Sequence, residues 1–129
     1  MTLEVRFTGK KFPDIFFAGE WHNDMPGLTE ESTIIAESDG CPRQIVRYGK
    51  YVYGFQTHME FTHEIVAAGI EDVGGRLNCT GRFVQTEEQL LAFDYTGMNA
   101  LLSSFLDAMA EEYRREHFSA VSQVTEKMI

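Results

Sequence analysis

The residues best equipped to move protons lie in one short stretch, Gln56-Thr57-His58-Met59-Glu60-Phe61-Thr62-His63-Glu64. A neutral imidazole can take a proton from a nucleophile, and a carboxylate on its other ring nitrogen fixes the tautomer and stabilises the imidazolium that forms. His58 and Glu60 have the chemistry for that pair. Spacing alone leaves a second reading open, in which the two are ordinary residues at a strand end. His58, Glu60, His63 and Glu64 are also metal-ligand types. A helical zinc site of the H-E-x-x-H kind needs histidines four apart on one helix face. His58 and His63 are five apart across a strand-to-helix junction, so the metal reading is the minority one, and neither a metal nor a cofactor is expected.

Two cysteines, Cys41 and Cys79, are the available thiols. Cys41 follows Asp39-Gly40 and precedes Pro42, which reads as a turn; Cys79 falls in a loop near glycines. A thiol nucleophile needs a helix N-terminus or a cationic neighbour to lower its pKa, and neither position offers one. His117 sits near the end of a long helical pattern, where the helix dipole favours a cation, and is read as structural or solvent-facing. The loop Gly19 to Leu28 holds Trp21, His22, Asn23 and Asp24. Loops of this kind often carry function.

The elements that must position these residues change period halfway along the chain. Leu3, Val5 and Phe7 alternate with polar neighbours, the signature of a half-buried strand, and Asp14 to Ala18 is a second short apolar run. Three more strands follow over Thr33 to Glu37, Arg43 to Arg47 and Tyr51 to Gln56, joined by short turns that dictate antiparallel pairing. The last is apolar on both parities and is expected to be buried on both faces. His58 therefore lies just past a strand's carboxyl end, where open α/β sheets place their ligands.

From Thr62 the pattern is helical, with Thr62 as N-cap and Ile65, Val66 and Ile70 inward; Gly69 and Gly74-Gly75 punctuate its end. Thr86-Glu87-Glu88-Gln89 is a capping box opening a short helix to Phe93. The longest helix spans Gly97 to Glu116, with Met98, Leu101, Leu102, Phe105, Leu106, Met109 and Tyr113 on one stripe. Residues 1–118 are read as the domain and 119–129 as a fraying polar tail.

Composition bounds the function. The 129 residues allow one domain, and 43% hydrophobic residues can build its core. Against 20 Asp and Glu stand 11 Lys and Arg, a net charge of −9, which argues against binding nucleic acid or an anionic membrane surface. No apolar run is long enough for a membrane span, and the N-terminus lacks the layout of a secretory signal, so a cytoplasmic protein is expected.

The ordered series His22-Asn23-Asp24, Ile35-Ala36-Glu37-Ser38, Cys41-Pro42-Arg43-Gln44 and Tyr53-Gly54-Phe55-Gln56-Thr57-His58-Met59-Glu60 resembles the C-terminal half of a class I glutamine amidotransferase domain, GMP-synthase-like in flavour. The resemblance implies a partial flavodoxin-like α/β fold, an antiparallel strand meander followed by C-terminal helices. It further implies a Cys-His-Glu triad that hydrolyses glutamine through a thioester and passes ammonia to an acceptor. His58 would be the general base and acid and Glu60 its orienting carboxylate, while the loop of Trp21, His22, Asn23 and Asp24 would line the glutamine pocket.

Thr57 stands where the family has Phe, and Met59 where it has Pro, which removes a fixed φ from the turn that presents Glu60. The family's nucleophile sits upstream on a Gly-x-Cys-x-Gly turn, and this chain is expected to start too late to hold it. Neither Cys41 nor Cys79 maps there. The chain alone is thus expected to lack glutaminase activity and to need a complementary half. Lacking that half's strands, it is expected to form homo-oligomers. A non-catalytic binding or regulatory module is the alternative, and a metal-dependent hydrolase a lesser one. A complete GMP synthase would also need an ATP-pyrophosphatase domain, and no phosphate-cradling Gly-rich motif occurs here.

Overall fold

The computed structural model describes the backbone of residues 2–7, 13–74 and 80–126, and the side chains of 13–74 and 80–118. Among the described residues five strands form one sheet: β1 (Thr2–Phe7), β2 (Ile15–Gly19), β3 (Thr33–Ser38), β4 (Cys41–Gly49) and β5 (Val52–Phe55). Their spatial order is β2-β1-β3-β4-β5, and every neighbouring pair is antiparallel. Short turns make hairpins of β3–β4 and β4–β5, so the expected meander is present.

Two strand details differ from the sequence reading. β4 begins at Cys41, not Arg43: Ser38 pairs with Cys41, and the Ser38 hydroxyl accepts the Cys41 N–H at 3.1 Å. Cys41 is therefore a buried first strand residue and not a turn residue, and only Asp39 and Gly40 make the turn. β5 is an edge strand. Tyr53 and Phe55 face the helices, but Val52 is 58% exposed, so both-face burial does not hold here. Register shifts in β3 around Ala36 re-aim its side chains and let consecutive Ile35 and Ala36 both reach the interior.

The helices described after the strands are α1 (His63–Asp72), α2 (Glu87–Ala92) and α3 (Thr96–Glu126). Thr62 caps α1 by accepting the Ile65 N–H, and Gly74 takes φ 60° just past its end, a left-handed conformation that glycine adopts without a Cβ clash. The α2 capping box is complete, Thr86 and Gln89 satisfying each other's backbone N–H groups. α3 continues beyond Glu116 to Glu126, so regular helix extends into the segment read as a tail. Gly75 and Cys79 lie outside the described residues.

The core lies between one face of the sheet and the helices, centred on Phe16, Ile45, Met59, Val66, Met98 and Phe105. The stripe expected on α3 is inward at Met98 and Phe105, whereas Leu106 and Tyr113 are 47% and 44% exposed. On α1, Val66 is buried and Ile65 points out at 49%. α3 runs along β5 in the opposite sense: the Phe105 ring meets Phe55 and Tyr53 edge-on at 5.6 and 5.0 Å, and Tyr113 meets Tyr51 at 5.2 Å. Lys50 and Tyr51 both bond to the Glu116 carboxylate. Among the described residues no helix is long and apolar enough to cross a membrane.

Candidate functional site

The end of β5 is held by two neighbours. The Gln44 carbonyl accepts the Gln56 and Thr57 N–H groups at 2.9 and 3.4 Å; the Gly19 carbonyl accepts the His58 N–H at 2.7 Å and the Thr57 hydroxyl at 3.2 Å. Gly19 and His58 form an isolated antiparallel bridge, so β2 ends where the His58 stretch begins. A Cβ at position 19 would lie 2.6 Å from the Phe61 ring, which makes glycine a packing requirement there.

His58 and Glu60 come together as the residue types demanded. His58 Nδ1 lies 2.7 Å from Glu60 Oε1, with side chains 35% and 57% exposed. An ionised Glu60 only accepts, so Nδ1 carries the proton and Nε2 is left with a lone pair to receive one from a substrate or nucleophile. The imidazole stacks on Phe61 with ring centres 4.6 Å apart and planes 4° from parallel. Beneath the turn, the Asn99 side-chain amide donates to the Met59 and Phe61 carbonyls at 2.7 and 2.9 Å.

A cleft of about 230 Å³ opens beside His58, lined by Trp21, Phe61, Ile65, Val66 and Gly69. Trp21 meets Phe61 edge-on at 6.5 Å and covers Gly69, where a Cβ would lie 3.4 Å from the indole. Of the four loop residues expected at the pocket, Trp21 alone lines this cleft. His22 turns to Glu20, its Nε2 2.7 Å from Oε2, with its Nδ1 3.0 Å from the Asp24 carbonyl. The Asp24 carboxylate accepts from Gln56 Nε2 at 3.0 Å, which ties the loop to the end of β5, and Asn23 is exposed. Burial raises the Glu20 carboxyl above its ordinary value, and hydrogen bonds from His22 and Thr57 pull against that rise.

His63 is exposed, and Glu64 is held below its ordinary value by its own backbone N–H and the Thr62 hydroxyl. It serves the start of α1. Among the described residues no group of three or more His, Cys, Asp or Glu side chains is arranged to hold a metal ion. Cys41 is buried in the β3–β4 hairpin and does not line the cleft. Glu20, Phe61 and Asn99 escaped the sequence reading. Phe61 carried one local signal, an aromatic three residues after His58; Asn99 carried none, since it meets the turn from the other end of the described chain.

A strand-end imidazole hydrogen-bonded to a carboxylate can move protons, and the fold that carries the pair is found in known proteins. No family model matches. Over 93 residues, 70% of its length, the chain is 52% identical to a putative glutamine amidotransferase-like protein of Salmonella typhimurium, YfeJ, covering 39% of that protein. The crystal structure of SMU.1228c superposes with TM-score 0.75 at 39% identity, and a Thermotoga maritima glutamine amidotransferase with 0.70 at 26%. Each match covers 84% of this chain and about half of the other, 51% and 49%. A Methylobacillus flagellatus glutamine amidotransferase shares the fold at TM-score 0.74 and 16% identity. The chain is thus similar to part of a class I glutamine amidotransferase domain, spanning about half the length of the structural relatives and 39% of the Salmonella protein.

Proposed function

We propose that this chain supplies the proton-transfer half of a glutaminase site, His58 as general base and acid and Glu60 as its orienting carboxylate, and that the thiol nucleophile comes from a complementary segment. The observation that carries the reading is the 2.7 Å contact of His58 Nδ1 with Glu60 at the end of β5, with Nε2 left to accept. In the completed site the thiol gives its proton to Nε2, and the thiolate attacks the side-chain amide carbon of glutamine. The imidazolium returns that proton to the leaving ammonia as the thioester forms, and water then releases glutamate. On this reading Cys41, buried away from the cleft, is not the nucleophile, and the chain alone is expected to release no ammonia. The GMP-synthase-like flavour rests on the motif resemblance, which names no acceptor for the ammonia.

The complementary segment covers the free edge of β5, and a second copy of this chain covers it when that segment is missing. Mixing the chain with the portion of the Salmonella relative that precedes the matched residues, then assaying glutamate, tests the reading. Ammonia from the mixture, lost with His58→Ala, supports it. A mixture that associates but never produces glutamate sinks the catalytic reading and leaves a binding module. A clean monomer in sedimentation at micromolar concentration counts against self-association.

A further inference from the structure

We infer that Asn99 is the positioning residue that keeps Glu60 on the Nδ1 side of His58; this rests on the proton-transfer reading above and names what enforces it. The pair is open to solvent, with side chains 35% and 57% exposed. A hydrogen-bonded pair that exposed gains little energy and must hold two mobile side chains in one geometry, so it does not order itself. The order has to come from the backbone beneath.

Among the described residues, the sheet holds the turn at His58, through the Gly19 bridge, and α1 takes over at Thr62. Glu60 lies between these anchors. Proline at position 59 would limit φ there, but the residue is Met59, whose φ is not restricted by a ring.

The Asn99 amide spans the gap. Nδ2 donates one hydrogen to the Met59 carbonyl at 2.7 Å and the other to the Phe61 carbonyl at 2.9 Å. The first carbonyl belongs to the peptide that enters Glu60 and the second to the peptide that leaves Phe61, so one planar amide pins the backbone before and after Glu60 and thereby limits the direction of its Cβ. Only the NH₂ end of the amide can face two carbonyl oxygens, which settles the orientation of the side chain. Asn99 is itself fixed on α3, its N–H donated to the Tyr95 carbonyl at 3.1 Å beside buried Met98. Asparagine is a poor helix former, and these two donated bonds account for its presence inside the longest helix.

The test reads the His58 tautomer directly, from ring ¹⁵N signals of the labelled chain above the pH at which the imidazole titrates. The Nδ1–H form is expected to dominate in the parent, and Glu60→Gln is expected to return the ring toward the Nε2–H form that prevails in the free histidine side chain. Asn99→Ala is expected to shift the signals most of the way to the Glu60→Gln positions. Leu102→Ala loosens the same helix against the core without touching the turn and is expected to leave them at the parent positions. If Asn99→Ala fails to fold, Asn99→Asp keeps the volume, removes both donors and gives the same readout. Signals moved by Glu60→Gln but not by the Asn99 variants overturn the role of Asn99 alone. Equal shifts in Leu102→Ala and Asn99→Ala overturn it as well, by showing general loosening. Signals indifferent to Glu60→Gln overturn the His58–Glu60 reading itself.

Discussion

Replacing Gly19 by Ala puts one methyl group where the site has no room. The new Cβ would lie 2.6 Å from Phe61 Cδ2 and 3.0 Å from the His58 carbonyl oxygen. Carbon atoms settle at about 3.5–4.0 Å, so the ring must retreat by about 1 Å or the strands must part. Parting is opposed by the 2.7 Å bond from His58 N–H to the Gly19 carbonyl. Overpacking of this kind costs about 1–3 kcal/mol, while the stiffer unfolded chain of an alanine variant returns about 0.4–1 kcal/mol. The net loss is about 1–2 kcal/mol. At about 2.1 cal/mol/K per residue, 129 residues give an unfolding entropy of about 270 cal/mol/K, so Tm falls by about 4–7 °C. Because Phe61 stacks on His58, the retreating ring also carries the imidazole, and the His58 ring signals should move with the loss of stability. Thermal unfolding of the parent, Gly19→Ala, Phe61→Ala and the double variant closes a cycle in which the glycine substitution costs much less once the ring is gone. A Gly19→Ala protein as stable as the parent, with unmoved His58 signals, would refute the reasoning; so would an undiminished cost in the Phe61→Ala background.

Phe105→Ala removes the ring that meets Tyr53 and Phe55 from a site 3% exposed, and should cost about 3–5 kcal/mol in urea unfolding. Gln44 is fully buried and its Oε1 has no partner among the described residues, so Gln44→Met should change stability by less than about 1 kcal/mol or raise it, whereas Gln44→Glu buries a charge and should cost about 3 kcal/mol or more. Lys50 and Tyr51 hold the Glu116 carboxyl below its ordinary 4.5, so its contribution is present above that value and is lost as pH falls through the lower folded one; a near-ultraviolet circular dichroism titration should show Tyr51 leaving its packing there. The Tyr51 phenol is pushed up to about 12, first by desolvation and then by Glu116, and an absorbance titration should find it moved back toward 10 in Glu116→Gln.

The sequence carried those parts of the fold whose causes are local. Alternation and turn formers marked the strands, the Thr86 to Gln89 box opened α2 where expected, and the Thr62 cap placed α1. The His58–Glu60 contact was legible too, because a strand end and a two-residue spacing bring both side chains to one turn. Periodicity shows which side of a helix is apolar but not how far the partner layer reaches, which is why Leu106 and Tyr113 of α3 were expected inside and stand half in solvent. Cys41 misled because Asp39-Gly40-Cys41-Pro42 is dense in turn residues, yet only the first two are needed for the reversal. Asn99 was beyond reach, since its bond to the Phe61 carbonyl joins positions 38 apart and depends on how α3 lies across the sheet.

That placement of α3 along β5 has a consequence for the order in which the molecule opens. The helix touches the hairpin tip at Lys50 and Tyr51, the middle of the strand at Tyr53 and Phe55, and the reactive turn at Met59 and Phe61. A strand with a partner on one side only would ordinarily be the first part of a sheet to surrender its amides to exchange. Splinted at three levels by a single rod, β5 instead opens when the helix leaves, and the turn bearing His58 opens with it. Strand, turn and α3 as far as Glu116 are therefore expected to behave as one cooperative unit in native-state hydrogen exchange, sharing one opening free energy.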